Sequence, residues 1–171
     1  MKNYLLISYK KEGHNLVKVI PYVNKEYDLE NSYEIEVEDS IKNIGEEEYR
    51  RIWQGDPFKN LFTSWEYLSI LEESNCIGQE TGWAINFFTL QKNGQIETIA
   101  PCFLKFHSYG EYVFDWAWAE AFHRSGVQYY PKLLFASPFT PISGARLLGL
   151  SNSTEIDIFR CEIEKWCWDN S

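Results

Sequence analysis

Apolar and polar residues alternate over much of this chain, and the alternation predicts most of its strands. Tyr4–Tyr9 and Leu16–Val23 read as two short strands joined through Glu12–Gly13–His14–Asn15, a β-hairpin within residues 1–32. In Tyr33–Glu38 the apolar Tyr33, Ile35 and Val37 alternate with Glu34, Glu36 and Glu38. That pattern predicts a half-exposed strand at a sheet edge, where charge discourages stray pairing. Trp83–Lys92 and Gln95–His107 are apolar runs flanking Asn93–Gly94. Asn-Gly between such runs signals a tight hairpin, because both turn residues need positive φ. After Ser108–Tyr109–Gly110 the alternation sharpens. Tyr112, Phe114, Trp116 and Trp118 form a bulky face that would fill a core; Val113, Asp115, Ala117 and Ala119 form a small face with one carboxylate. This would be the third of three successive antiparallel strands. Ala145–Leu150 reads as one more strand.

Helical spacing appears elsewhere. Glu46–Gln54 is one short helix, ended by Gly55 and Pro57. A second starts at Thr63, where Thr63 and Glu66 fit a capping box and Phe62 and Tyr67 a hydrophobic staple. It runs to about Ser74 and would bury Trp65, Leu68 and Leu71. A loop with Gly78 and Gly82 follows. Tyr129–Ala136 is expected as a short helix with Pro131 in its first turn. Pro138 and Pro141 then force an extended passage. In Thr154–Trp168 the residues Ile156, Phe159, Ile163 and Trp166 share a helix face, with Ser153 or Thr154 as the cap. The sum is a mixed α/β (α+β) domain: a central, largely antiparallel sheet flanked by helices. No repeat, low-complexity tract or internal linker interrupts it.

Composition narrows the function classes. Aromatic residues make up 17% of the 171 positions, more than one small domain easily buries. The surplus points to association through exposed aromatics, either as a homo-oligomer or against another domain. Net charge is −9, with 16 basic residues against 25 acidic. That excludes a general nucleic-acid binder, whose affinity would come from clustered Lys and Arg. The runs Glu34–Asp39 and Glu46–Glu48 read as solvated faces. Cys76, Cys102, Cys161 and Cys167 show no C-x-x-C pair and no His at ligand spacing, so no metal is expected. The apolar run near the N-terminus is too short for a secretory signal, and no stretch approaches the ~20 apolar residues of a membrane span. A cytoplasmic protein with reduced thiols is the expectation.

Candidate chemistry gathers around the aromatic run. Asp115, on the small face, could hold an amine or accept its proton; equally it could pair with an arginine or cap a helix. Glu120 lies where the run ends, a usual place for sites, whereas Glu111 reads as solvated. His107 and His123 bracket the run, either as a base or in a hydrogen-bonding role. Arg124 could grip a carboxylate or phosphate in bidentate fashion, or pair with Glu120 or Asp115. Lys132 could join it. Tyr109 puts a phenol at the tip of a tight turn; Tyr129 and Tyr130 read as core. No P-loop or dinucleotide-binding glycine pattern is present.

Four segments carry a resemblance: DPF at 56–58, ETGW at 80–83, LKFHSYGEYVFDWAWAEA at 104–121 and YYPKLLFASPFTPISGARLL at 129–148. In this order and spacing they resemble the FemAB-like family, of the GNAT-like acyl-CoA N-acyltransferase fold group. The resemblance covers roughly Tyr33 onward, so residues 33–171 would be an N-terminal GNAT-like domain and 1–32 an extension. It implies that members continue into a second acyltransferase-like half, which holds the donor site or shares it at the junction. The activity implied is transfer of an acyl or aminoacyl group to a small-molecule amine, in peptidoglycan or a related cell-wall precursor. The donor would be acyl-CoA or aminoacyl-tRNA. Asp115, Glu120 and His107 would be catalytic, and Tyr109, Arg124, Trp116 and Lys132 would bind substrate. A rival from another class is a non-catalytic fragment that binds a partner through its aromatics, or one half of a split transferase.

Overall fold

The computed structural model describes residues 4–11, 14–23, 25–150 and 152–170. Strand β1 (Tyr4–Lys11) pairs antiparallel with β2 (His14–Val23), so the expected N-terminal hairpin is present. Glu12 and Gly13 of its loop lie outside the described residues. His14 and Asn15, expected in the loop, already pair with Lys11 and Lys10. A short β3 (Glu26–Tyr27) folds back on β2.

The next strand, β4 (Tyr33–Glu38), is not an edge. It lies between β2 and β6 (Phe87–Lys92), and β6 continues to β7 (Gln95–Ala100), giving the order β1-β2-β4-β6-β7. Its central place explains why Glu38 is buried rather than solvated. The β6–β7 turn is Asn93–Gly94, with φ of +53° and +75°, as an Asn-Gly hairpin requires.

Both long apolar runs break. The first gives a two-residue β5 (Ala84–Ile85) before β6; the second is cut at Pro101, leaving β8 (Phe103–Lys105). A proline cannot donate to a ladder, so the chain leaves the first sheet there. It enters a second antiparallel sheet, order β5-β8-β9, with β9 at Lys132–Leu134. The helix expected at Tyr129–Ala136 is therefore absent. Pro131 disfavours helical backbone at Tyr130 and lacks a donor, so the segment suits a sheet edge.

Helices cover both faces of the larger sheet. On one side are α1 (Ile41–Ile44), α2 (Glu46–Gly55) and α3 (Trp65–Glu73). Ile41, Tyr49, Ile52 and Leu68 pack there with Phe87 and Ile99. On the other side lies α5 (Ser153–Asp169), with Ile158 and Phe159 against Val19, Ile35 and Phe88. Phe87 and Phe88 are adjacent and serve opposite cores, as strand alternation dictates. Each fully buried side chain of this size is worth about 1.5–3 kcal/mol.

Cap details differ from the pattern. Ser64, not Thr63, caps α3, accepting from the Tyr67 N–H; Thr63 closes a box with Asn60 around the preceding turn at Leu61–Thr63. The Phe62–Tyr67 contact is real, at 5.2 Å between rings. Of the three residues expected to be buried on α3, Leu68 is fully so, and Trp65 and Leu71 are partly buried. Asn152 caps α5, and Ile156 faces solvent while Ile158 takes the core. Ala145–Leu150 contributes one bridge, Leu148 to Ile99, in place of a strand.

The largest departure is the aromatic run. It is a turn followed by α4 (Trp116–Arg124), not a third strand. Three alanines in WAWAEAF favour a helix, and Gly110 at φ +81° turns the chain away from the sheet first. Trp116 and Trp118, expected in the core, are 61% and 65% exposed, and α4 buries none of its residues. No helix among the described residues is long and apolar enough to cross a membrane.

Candidate functional site

The second sheet sets up the site through its register. In the β8–β9 pair Lys105 stands directly opposite Lys132. Residues paired in this way project on the same face, with Cβ atoms about 5 Å apart, and like charges there repel. The fold resolves the repulsion unequally.

Lys132 gains acidic partners. Its Nζ lies 2.7 Å from Glu111 Oε2 and also bonds Asp115 Oδ2, while the Tyr129 hydroxyl donates to that same Asp115 oxygen at 2.9 Å. The Lys132, Glu111 and Asp115 side chains are only 19%, 10% and 18% exposed. Burial opposes charge at Asp115, but the Lys132 ammonium and Tyr129 phenol outweigh it and hold the carboxyl below its usual range. Burial also opposes the Lys132 charge, and its bonds to Asp115 and Glu111 raise it all the same. The Tyr129 phenol is pushed up by burial and by its bond to Asp115. The cluster thus sets an ionised Asp115 and the Glu111 side chain around one ammonium, edged by a phenol.

Lys105 is fully buried. Its Nζ donates to the Tyr109 carbonyl at 2.9 Å and lies 3.8 Å from the centroid of the Trp83 ring. Burial first, then repulsion from Lys132, lowers it to about 8, with Glu111 opposing.

The turn His107–Glu111 carries Glu111 into place. The Tyr109 carbonyl accepts from both Lys105 and Trp83 Nε1, the latter at 3.1 Å, and the Tyr109 N–H donates to His107 Nδ1 at 3.2 Å. Gly110 fits where a Cβ would come within 2.7 Å of Trp83 Nε1 and 2.8 Å of Phe139.

The structure brings together only part of the expected set. Asp115 and Lys132 meet. His107 holds the turn through Nδ1, and Tyr109 contributes its carbonyl while its ring is 63% exposed. Glu120 and Arg124 pair with each other, one helical turn apart on the solvated side of α4. Trp116 stacks on Phe114 at 4.7 Å between rings, outside the cluster. Glu111, expected to be solvated, and Tyr129, expected in the core, belong to the cluster instead. Lys105 lies outside the expected set; its sequence signal is a lysine at a strand position next to Phe103 and Leu104, where the neighbours promise burial.

The model of the FemAB-like family, described as peptidoglycan biosynthesis/recognition, matches residues 40–167, from α1 into α5. No curated protein and no solved structure matches the chain.

Proposed function

Since this chain belongs to the FemAB-like family of peptidoglycan biosynthesis and recognition, we propose that it serves N-acyl transfer to an amine of a cell-wall precursor, with the Lys132 cluster as the amine-holding site. The observation that carries this reading is the Lys132 ammonium held between Glu111 and Asp115. Two carboxylates and a phenol that hold one primary ammonium are suited to hold another. Asp115, ionised at neutral pH, orients the acceptor. Lys132 keeps that carboxylate ionised and offers positive charge to an oxyanion. Tyr129 donates beside it. His107 and Tyr109 act by positioning the turn.

In the reaction the acceptor nitrogen attacks the carbonyl carbon of a thioester or ester donor. The new C–N bond forms, the C–S or C–O bond breaks, and the amine proton leaves through a neighbouring base. The donor is acyl-CoA or aminoacyl-tRNA, held in a GNAT-like cleft of which this domain is one wall. Incubating the chain with acyl-CoA and a peptide bearing a free primary amine, and following thiol release, tests this reading. Turnover lost in Asp115→Asn supports it; turnover equal in that variant overturns the assignment of the site.

A second reading rests on a separate observation: α4 projects its aromatic side chains without burying any. In that reading the chain is an interaction module, covered by a partner or a second copy of itself. Light scattering separates the two. An interaction module associates through α4 and ignores acyl-CoA in a thermal shift, whereas a transferase is stabilised by its donor.

A further inference from the structure

Lys105 is left unpaired by the arrangement that satisfies Lys132. Among the described residues no ion pair reaches it, and its bonds are to one carbonyl and one ring face. Close by, the same turn carries two buried oxygens with no hydrogen-bond partner, Glu111 Oε1 and Ser108 Oγ. A buried amine, an aromatic wall and an idle carboxylate oxygen in Coulombic reach are the parts of an imine-forming site. We propose that Lys105 is a nucleophilic amine that condenses with a small aldehyde to an imine, with Glu111 as its acid–base partner. This chemistry is separate from acyl transfer and does not depend on it.

The steps balance without any other reactant. The Nζ lone pair adds to the carbonyl carbon, forming the C–N bond, and a nitrogen proton passes to the oxygen by way of Glu111. The carbinolamine then expels that oxygen as water, leaving the C=N bond. Glu111 neutralises the iminium when the imine is protonated. The titratable groups around the amine are Lys132 on β9 and Tyr109, His107 and Glu111 in the turn, with Asp115 and Tyr129 beyond Lys132. An amine titrating at about 8 carries, at neutral pH, roughly two orders of magnitude more of the neutral form than an ordinary lysine. The Tyr109 turn and the Trp83 ring both lie against the amine, and Tyr109 itself is exposed.

The test is reductive alkylation of the full chain with propionaldehyde and cyanoborohydride, mapped by peptide mass. The expected result is that Lys105 is labelled at least about tenfold faster than exposed Lys25, with a rate that climbs through a midpoint near 8. Glu111→Gln should move that midpoint downward yet slow the labelling at pH values above it, where the amine is already neutral, and Lys132→Gln should move the midpoint upward. Lys105→Met, checked by its melting curve, should remove the fast phase alone. Labelling that follows exposure, with Lys105 the slowest lysine, overturns the proposal, and the wild-type order decides this even if a variant fails to fold.

Discussion

Lys105 and Lys132 are cross-strand partners in β8 and β9, yet they differ in state: Lys132 is held charged by Glu111 and Asp115, while Lys105 is buried beneath Trp83 and lowered to about 8. One strand pair therefore carries a fixed cation and a titratable amine side by side.

Because Lys105 titrates at about 8 folded and near the ordinary 10.5 unfolded, the unfolded chain binds more protons in that interval. Stability must then rise as pH climbs from about 8 to about 10.5, and the buried ammonium is a cost below it. Lys105→Met should be more stable than wild type by about 1–3 kcal/mol at neutral pH, with the gap closing toward pH ~10. Trp83 still serves the Tyr109 carbonyl in that variant. Urea denaturation at neutral and alkaline pH measures the gap; one that does not narrow contradicts the burial argument.

Asp115 works in the opposite sense. Its folded carboxyl titrates below the usual 3.8, so its contribution is present above that value and vanishes as pH falls through the folded one. Asp115→Asn should cost about 1–2 kcal/mol at neutral pH, since Lys132 keeps only Glu111. Chemical denaturation across the acid range should show the two proteins converging.

Gly110 supports the turn by having no side chain. Alanine there would combine positive φ with a Cβ driven into Trp83 and Phe139. Gly110→Ala should lose about 2 kcal/mol or more and shift tryptophan fluorescence, because the Tyr109 carbonyl must leave Trp83. A melt unchanged from wild type would show that the turn does not need this approach.

Trp116 and Trp118 are large but exposed, so replacing both with alanine should change stability by no more than about 0.5 kcal/mol per site. The same change should weaken any self-association seen by light scattering. A large loss of stability would mean that α4 packs on the body after all.

The parts of this fold that were readable in the sequence are those decided locally. Asn93–Gly94 dictates its own turn, α2 ends at its glycine, and the N-terminal strands pair by simple alternation. The aromatic run carries two signals at once: alternation of Tyr112, Phe114, Trp116 and Trp118 satisfies a strand template, while Ala117, Ala119 and Ala121 favour a helix. Strand pairing would have settled the matter, and Pro101 removes the chain from the larger sheet before the run begins. Only part of the cluster is legible in the sequence, for a related reason. Asp115 and Lys132 stand out by type and setting, but Lys105 meets Lys132 through the β8–β9 register, and Glu111 and Tyr129 reach the cluster from the turn after β8 and the segment before β9, long-range contacts that no local pattern encodes.

The most direct test of the proposed site is calorimetric binding of a peptide bearing a free primary amine to wild type, Asp115→Asn and the Trp116→Ala, Trp118→Ala double variant. We predict binding that is weakened at least about tenfold in Asp115→Asn, the loss of one charge-assisted bond, and kept by the double variant. Binding lost in the tryptophan variant and intact in Asp115→Asn would contradict the account and move recognition to the face of α4.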